Sequence, residues 1–197
     1  MHRTAVALAL ALLAVPTAAR ADEAADVKAC NAGKAKKCLD LAERYLDGDG
    51  VTQDPAKAIA FHEKACNLNE SRACNNLGTA WSEGKNGAPS VDHAKARALY
   101  DKACKLKNGL GCFNFGNVYR LGEGVTVDLK LAFTSFKKSC DLDEPKGCTE
   151  LAIMYYEGKA VAKDTKQTVR LLEKACKLGS EPACKNLELL KNAGAKP

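Results

Sequence analysis

The 197-residue chain has one tryptophan, two methionines and three histidines, and aromatics make up only 6% of it. So few histidines, with no two cysteines in Cys-x-x-Cys spacing, argue against a zinc site. Beyond the first fifteen residues no segment approaches the roughly 20 apolar residues a membrane span requires. Lysine and arginine number 30 against 24 acidic residues, a formal charge of +6. The two signs are interspersed, without the clustered basic stripe and aromatic platforms of a nucleic-acid surface. No haem-attachment or phosphate-binding motif occurs, so neither cofactor nor metal is expected.

What the chain does have is cysteine. Ten are present, in five pairs eight positions apart: Cys30 with Cys38, Cys66 with Cys74, Cys104 with Cys112, Cys140 with Cys148, and Cys176 with Cys184. The step from pair to pair is 36, 38, 36 and 36 residues. A fixed period of this size marks stacked helical hairpins, an all-α solenoid. Residues eight apart on an unbroken helix are separated by roughly 12 Å, whereas a disulfide needs Cα atoms within about 7 Å. The chain must therefore turn inside each pair, and all five intervals carry Asn, Gly, Pro or Asp. The expected arrangement is five local staples, each joining the end of one helix to the first turn of the next.

The first 21 residues read as an export signal. His2 and Arg3 precede an apolar run over Ala5 to Val15, and Ala19-Arg20-Ala21 fits a small-x-small cleavage site. The mature chain would start near Asp22, and its charge would fall to +4 with the loss of Arg3 and Arg20. Disulfides persist in exported proteins and rarely in the cytosol. Periplasmic or secreted location is thus expected on two grounds.

Aligned on the second cysteine, the chain divides into full units 38–73, 74–111, 112–147 and 148–183, with partial capping helices at 22–37 and 184–197. Three residues on stands Leu41, Leu77, Phe115, Leu151 or Leu187. The next is small in four units (Ala42, Gly78, Gly116, Ala152). Seven on is Tyr45, Trp81, Tyr119 or Tyr155. These offsets share one face of an α-helix. Ten on is Gly48, Gly84, Gly122, Gly158 or Gly194, the left-handed residue that ends a helix. Asp54, Asp92, Asp128 and Asp164 then stand as N-caps of a second helix, with Pro55 fitting a first helical position. Glu188 and Lys191 replace the small and aromatic residues of the last unit, as suits a polar terminal cap.

The stretches Leu41-Ala-Glu-Arg-Tyr45…Gly48-Asp-Gly50-Val51…Asp54-Pro-Ala-Lys-Ala58…Lys64-Ala65 and Phe115-Gly-Asn-Val-Tyr119…Gly122-Glu-Gly124-Val125…Asp128 resemble the Sel-like repeat, a relative of the tetratricopeptide repeat. Unit four is looser, with Lys159-Ala160-Val161 at the Gly-Val position. The eight-spaced cysteines resemble the cysteine-rich exported bacterial branch labelled β-lactamase-like. The resemblance implies a right-handed α/α superhelix whose first helices line a concave, protein-binding surface. It also implies an alternative, penicillin binding and slow β-lactam hydrolysis, credited to some members of that branch. Transferring the groove positions of tetratricopeptide stacks gives Arg72, Asn75, Asn76, Phe113, Asn114, Asn117, Arg120, Lys146 and Tyr156 as ligand-binding candidates. The expected partner is a protein or peptide, held by a monomeric chain, with a β-lactam as the alternative ligand.

Hydrolase chemistry has thin support in the residues themselves. Ser82-Glu-Gly-Lys85 and Ser135-Phe-Lys-Lys138 fit the Ser-x-x-Lys pattern of serine β-lactamases, but the Ser-Asp-Asn and Lys-Thr-Gly elements are absent. Six serines and 23 lysines make roughly 0.7 such matches by chance. Ser135 also occupies the slot held by Phe61, Leu99 and Leu171, a packing position. His62-Glu63 opens like a metalloprotease motif, yet Cys66 stands where its second histidine belongs. Asp47-Gly-Asp49-Gly50 lacks the terminal bidentate acid of a calcium loop, since Ala58 falls there. No catalytic or metal-binding residue is assigned.

Overall fold

A computed structural model describes residues 17–192, with side chains from residue 22. Among the described residues the chain forms α-helices only: α1 Thr17–Asn31, α2 Ala35–Asp47, α3 Pro55–Asn67, α4 Ser71–Glu83, α5 His93–Lys105, α6 Gly109–Leu121, α7 Leu129–Asp141, α8 Pro145–Glu157, α9 Thr165–Lys177 and α10 Glu181–Asn192. Most of the expected export signal, and Gly194, lie outside these residues.

Each helix starts and stops where local chemistry directs. Asp54, Asp92, Asp128 and Asp164 each accept a backbone N–H from the first turn of α3, α5, α7 and α9, satisfying donors that the helix itself cannot. Gly48, Gly84, Gly122 and Gly158 end α2, α4, α6 and α8 in the left-handed conformation. At each elbow the residue three after the first cysteine is also left-handed: Gly33, Asn69, Lys107, Asp143 and Gly179. That one residue reverses the chain between a second helix and the next first helix.

Five disulfides form as the spacing requires. Cys30 bonds to Cys38, Cys66 to Cys74, Cys104 to Cys112, Cys140 to Cys148, and Cys176 to Cys184, with Cα separations of 4.4–4.8 Å. No free cysteine remains. The first cysteine of each pair is the penultimate residue of its helix. The second closes the first turn of the following one: Cys38 in α2, Cys74 in α4, Cys112 in α6, Cys148 in α8 and Cys184 in α10. Each staple thus closes the elbow between adjacent hairpins and leaves the loop inside each hairpin unlinked. By the chain-entropy estimate a nine-residue loop is worth about 2.5 kcal/mol. The elbows are also tied to one another. Lys174 Nζ, in the last turn of α9, donates to the Cys140 carbonyl at 2.7 Å and pairs with Asp143 at 2.8 Å. Lys64, in the last turn of α3, donates to the side-chain amide oxygen of Asn31 at the first elbow.

Neighbouring helices bury a thin, continuous layer, as a solenoid must. Tyr45, Trp81, Leu77 and Leu151 point into it from the first helices, and Tyr100, Phe136 and Leu172 from the second. The second hairpin's loop, longer by two residues, contributes Ala88 to this layer. Ala88 is buried with Leu77 and Trp81 against Ile59, and Gly87 lies directly on the Pro55 carbonyl. In the middle of the array first helices touch, α4 with α6 and α6 with α8, whereas no pair of second helices approaches as closely. The array therefore curves toward its first helices, which form the inner wall.

Candidate functional site: the inner wall of the array

Counted from the second cysteine, first-helix offsets 0, 3, 4 and 7 point into the core. Offsets 2 and 5 stand half-exposed or exposed on the inner wall, joined by offset 9 and by the residue two before the cysteine. Asn76, Asn114 and Asn117 are half-buried there. Asn117 Oδ1 accepts from Arg120 Nε and Nη2 at 3.1 and 2.9 Å. Its amide nitrogen has no partner among the described residues. Asn75 lies deeper: it is 4% exposed, and its Oδ1 accepts from Asn114 Nδ2 at 2.8 Å. It acts as a buried strut between α4 and α6, holding the asparagines in front of it.

Both arginines are engaged inside the chain. Arg72 Nη2 meets Glu43 at 3.0 Å across α2 and α4, and Arg120 faces Glu150 at 3.7 Å across α6 and α8. Their guanidinium groups thus neutralise carboxylates of the wall. Lys146 Nζ sits 5.9 Å from the Phe113 ring centroid, and Phe113 packs on Phe136. Tyr156 stands apart from the rest, on an apolar cleft of about 330 Å³ between α8 and α10 that Ile153, Leu172, Leu189 and Leu190 line.

Residues singled out for other chemistry have structural roles. Ser135 is 6% exposed and its hydroxyl donates to the Leu131 carbonyl at 2.7 Å, so it is buried and bonded within its own helix. Ser82 is half-buried near the Tyr100 hydroxyl. His62 is 2% exposed, with neither ring nitrogen hydrogen-bonded, and burial pushes its pKa down to about 4. Gly48 N and Asp49 N both return to the Arg44 carbonyl, so Asp47-Gly-Asp49-Gly50 is the terminus of α2. Among the described residues no group of acidic, histidine or cysteine side chains is arranged to hold a metal ion.

Fold and site together define a disulfide-stapled solenoid of helical hairpins with a polar inner wall. The Sel1 repeat family model matches residues 38–70, 71–108, 109–144 and 145–180, and the chain belongs to that family. The family's phase coincides with the cysteine-based units at Cys38. Each later unit starts three residues earlier, at the helix starts Ser71, Gly109 and Pro145 and not at Cys74, Cys112 and Cys148. Cysteine rich protein B of Helicobacter pylori is 39% identical, covering 68% of this chain and 96% of that one, with a TM-score of 0.57. The c5321 protective antigen of uropathogenic Escherichia coli, described as displaying an SLR fold, is 27% identical with a TM-score of 0.78. It aligns to 86% of this chain, which spans only 36% of its length. A Sel1 repeat protein of Oxalobacter formigenes shares the fold at 22% identity and a TM-score of 0.77, with 86% of this chain and 66% of that one covered. Among curated proteins, cytochrome c oxidase assembly factor 7A of Xenopus laevis is 38% identical over 58 residues, a quarter of its length.

Proposed function

We propose that the protein is an exported scaffold that binds another protein, or an extended peptide, along its inner wall. The observation that carries this reading is the row of half-buried amides on α4 and α6. An amide both donates and accepts, so it can meet the N–H and C=O of an extended backbone in turn. Asn75 and Arg120 hold two of these amides in place from behind, which lowers the ordering cost of binding. Sel1 repeat arrays typically serve protein interaction, and the stacked first helices supply a long surface for it. Five disulfides belong to an oxidising compartment. No helix among the described residues is long and apolar enough to cross a membrane. With the expected signal over residues 1–21, this supports a periplasmic or secreted chain.

The test is capture of envelope proteins by the oxidised protein and by a triple variant carrying Asn76→Ala, Asn114→Ala and Asn117→Ala. The variant is expected to keep its helical circular dichroism and lose its partners. Undiminished capture at full helicity would remove this wall from consideration.

A further inference from the structure

The inner wall is graded along the array, and the gradient specifies what it takes. The chain as a whole carries more basic than acidic residues, yet the wall positions of α2 to α10 reverse the balance. Six carboxylates stand there (Asp40, Glu43, Asp47, Glu83, Glu150 and Glu157), against four cations, Lys36, Arg72, Arg120 and Lys146. Four of the six have a cation within 4 Å: Glu43 by Arg72, Glu83 by Lys85, Glu150 by Arg120 and Glu157 by Lys159. Asp40 and Asp47, both on α2, have none among the described residues. The nearby Lys37 is engaged by Asp26 at 2.7 Å. Lys36, on the same helix, has no carboxylate within 4 Å among the described residues either, so the wall face of α2 presents two unpaired carboxylates against one unpaired lysine, a net negative end.

The opposite end is apolar. The three most exposed large hydrophobic residues described are Leu189 at 68%, Tyr156 at 56% and Leu121 at 54%. They lie on α10, α8 and α6, the last three first helices, and no such residue lies on α2 or α4. Tyr156 and Leu189 flank the cleft between α8 and α10. Amides fill the middle.

We propose that the wall binds an extended polypeptide segment with basic residues at one end and a bulky apolar side chain at the other. The basic end meets Asp40 and Asp47, and the apolar side chain enters the Tyr156–Leu189 cleft. This rests on the reading of the wall as a peptide groove and adds the partner's chemistry and orientation. First helices about 8–10 Å apart place the two ends some 30 Å from one another. An extended chain crosses that distance in about nine residues at 3.3 Å each. Charge complementarity fixes the register, and the buried apolar anchor supplies most of the affinity.

The experiment selects a phage-displayed random dodecamer library on the oxidised protein. The selection is repeated on a variant carrying Asp40→Asn with Asp47→Asn, and on one carrying Tyr156→Ser with Leu189→Ser. The wild type should enrich peptides with Lys or Arg segregated from Leu, Phe, Tyr or Ile by about six to nine positions. The first variant should lose the basic preference alone, weakening a selected peptide about three- to fivefold in a salt-dependent way. The second should lose the apolar preference and about tenfold or more in affinity. All four changed side chains are exposed or half-exposed, and unchanged circular dichroism and thermal midpoint confirm folding. Selected peptides without this segregation, or with preferences unmoved by the variants, overturn the graded wall while leaving a peptide groove. No enrichment at all overturns the groove as well.

Discussion

Gly78 presents bare backbone to the ring of Tyr100: a Cβ added at Gly78 would stand 2.7 Å from the ring edge. The pairing repeats one unit on, where a Cβ added at Gly116 would stand 2.6 Å from the Phe136 ring. In the flanking units alanine holds the small position, Ala42 and Ala152, and the large one is His62 or Leu172, all four buried. Volume is thus matched across each hairpin, glycine against a ring and alanine against a smaller side chain.

Gly78→Ala is therefore expected to destabilise. Overpacking a tight core costs about 1–3 kcal/mol, while replacing a helical glycine by alanine returns about 1 kcal/mol. A net loss of up to about 2 kcal/mol should appear in urea unfolding. In a Tyr100→Leu background the same change should be neutral or stabilising, and a loss of equal size there would refute the pairing.

Removing a staple should act locally. In a solenoid each hairpin leans only on its neighbours. Replacing both Cys176 and Cys184 by alanine is therefore expected to raise amide exchange in α10, which packs chiefly on α9. Exchange in α2 to α5 should stay as in the wild type. The global loss is bounded by about 2.5 kcal/mol.

Of the five described non-glycine residues with left-handed backbone, three are Asn or Asp, which tolerate it, and two are not. Ala160 (φ 62) takes the place that Gly50 and Gly124 hold in other units, and Lys107 (φ 64) takes that of Gly33 and Gly179. Releasing the Cβ conflict is worth about 1 kcal/mol at each site. Ala160→Gly and Lys107→Gly should each raise the denaturation midpoint, with additive effects because the sites lie in different units.

His62 makes stability fall in acid. Its native pKa is lowered to about 4 from 6.5, because burial disfavours the charged ring. Below pH 6.5 the unfolded state takes up a proton that the native state refuses. The stabilisation is complete above that pH and drains away as pH falls from 6.5 toward 4, by about 3 kcal/mol at most. His62→Leu, which copies Leu172, should remove this component. The stability difference between variant and wild type, measured in urea at about pH 7.5 and about pH 4.5, should grow at the lower pH.

Much of the fold is written in single residues. The four aspartate caps, the four helix-ending glycines and the five staples act within a few positions of themselves, so sequence reveals them. The wall is less legible, because its contacts join residues about one period apart. Asn75 and Asn114 are 39 positions apart, and only stacking shows that one supports the other. Arg72 and Arg120 look available for a partner's carboxylate until Glu43 and Glu150 are brought beside them. Ala88 lies in an enlarged loop, and nothing local marks it as part of the core. A period of 36 residues reveals that units repeat, while the offset at which one unit meets the next is set by packing.

The inner wall as the binding surface is tested most directly by placing a photo-crosslinking amino acid at Asn117 on α6 and, separately, at exposed Lys137 on α7. Both proteins would be irradiated in the native envelope, and the adducts compared by mass. The account predicts a discrete polypeptide adduct from position 117 that is absent from position 137 and disappears when Asn76 and Asn114 are replaced by alanine. An adduct formed equally from both positions, or from position 137 alone, would contradict it.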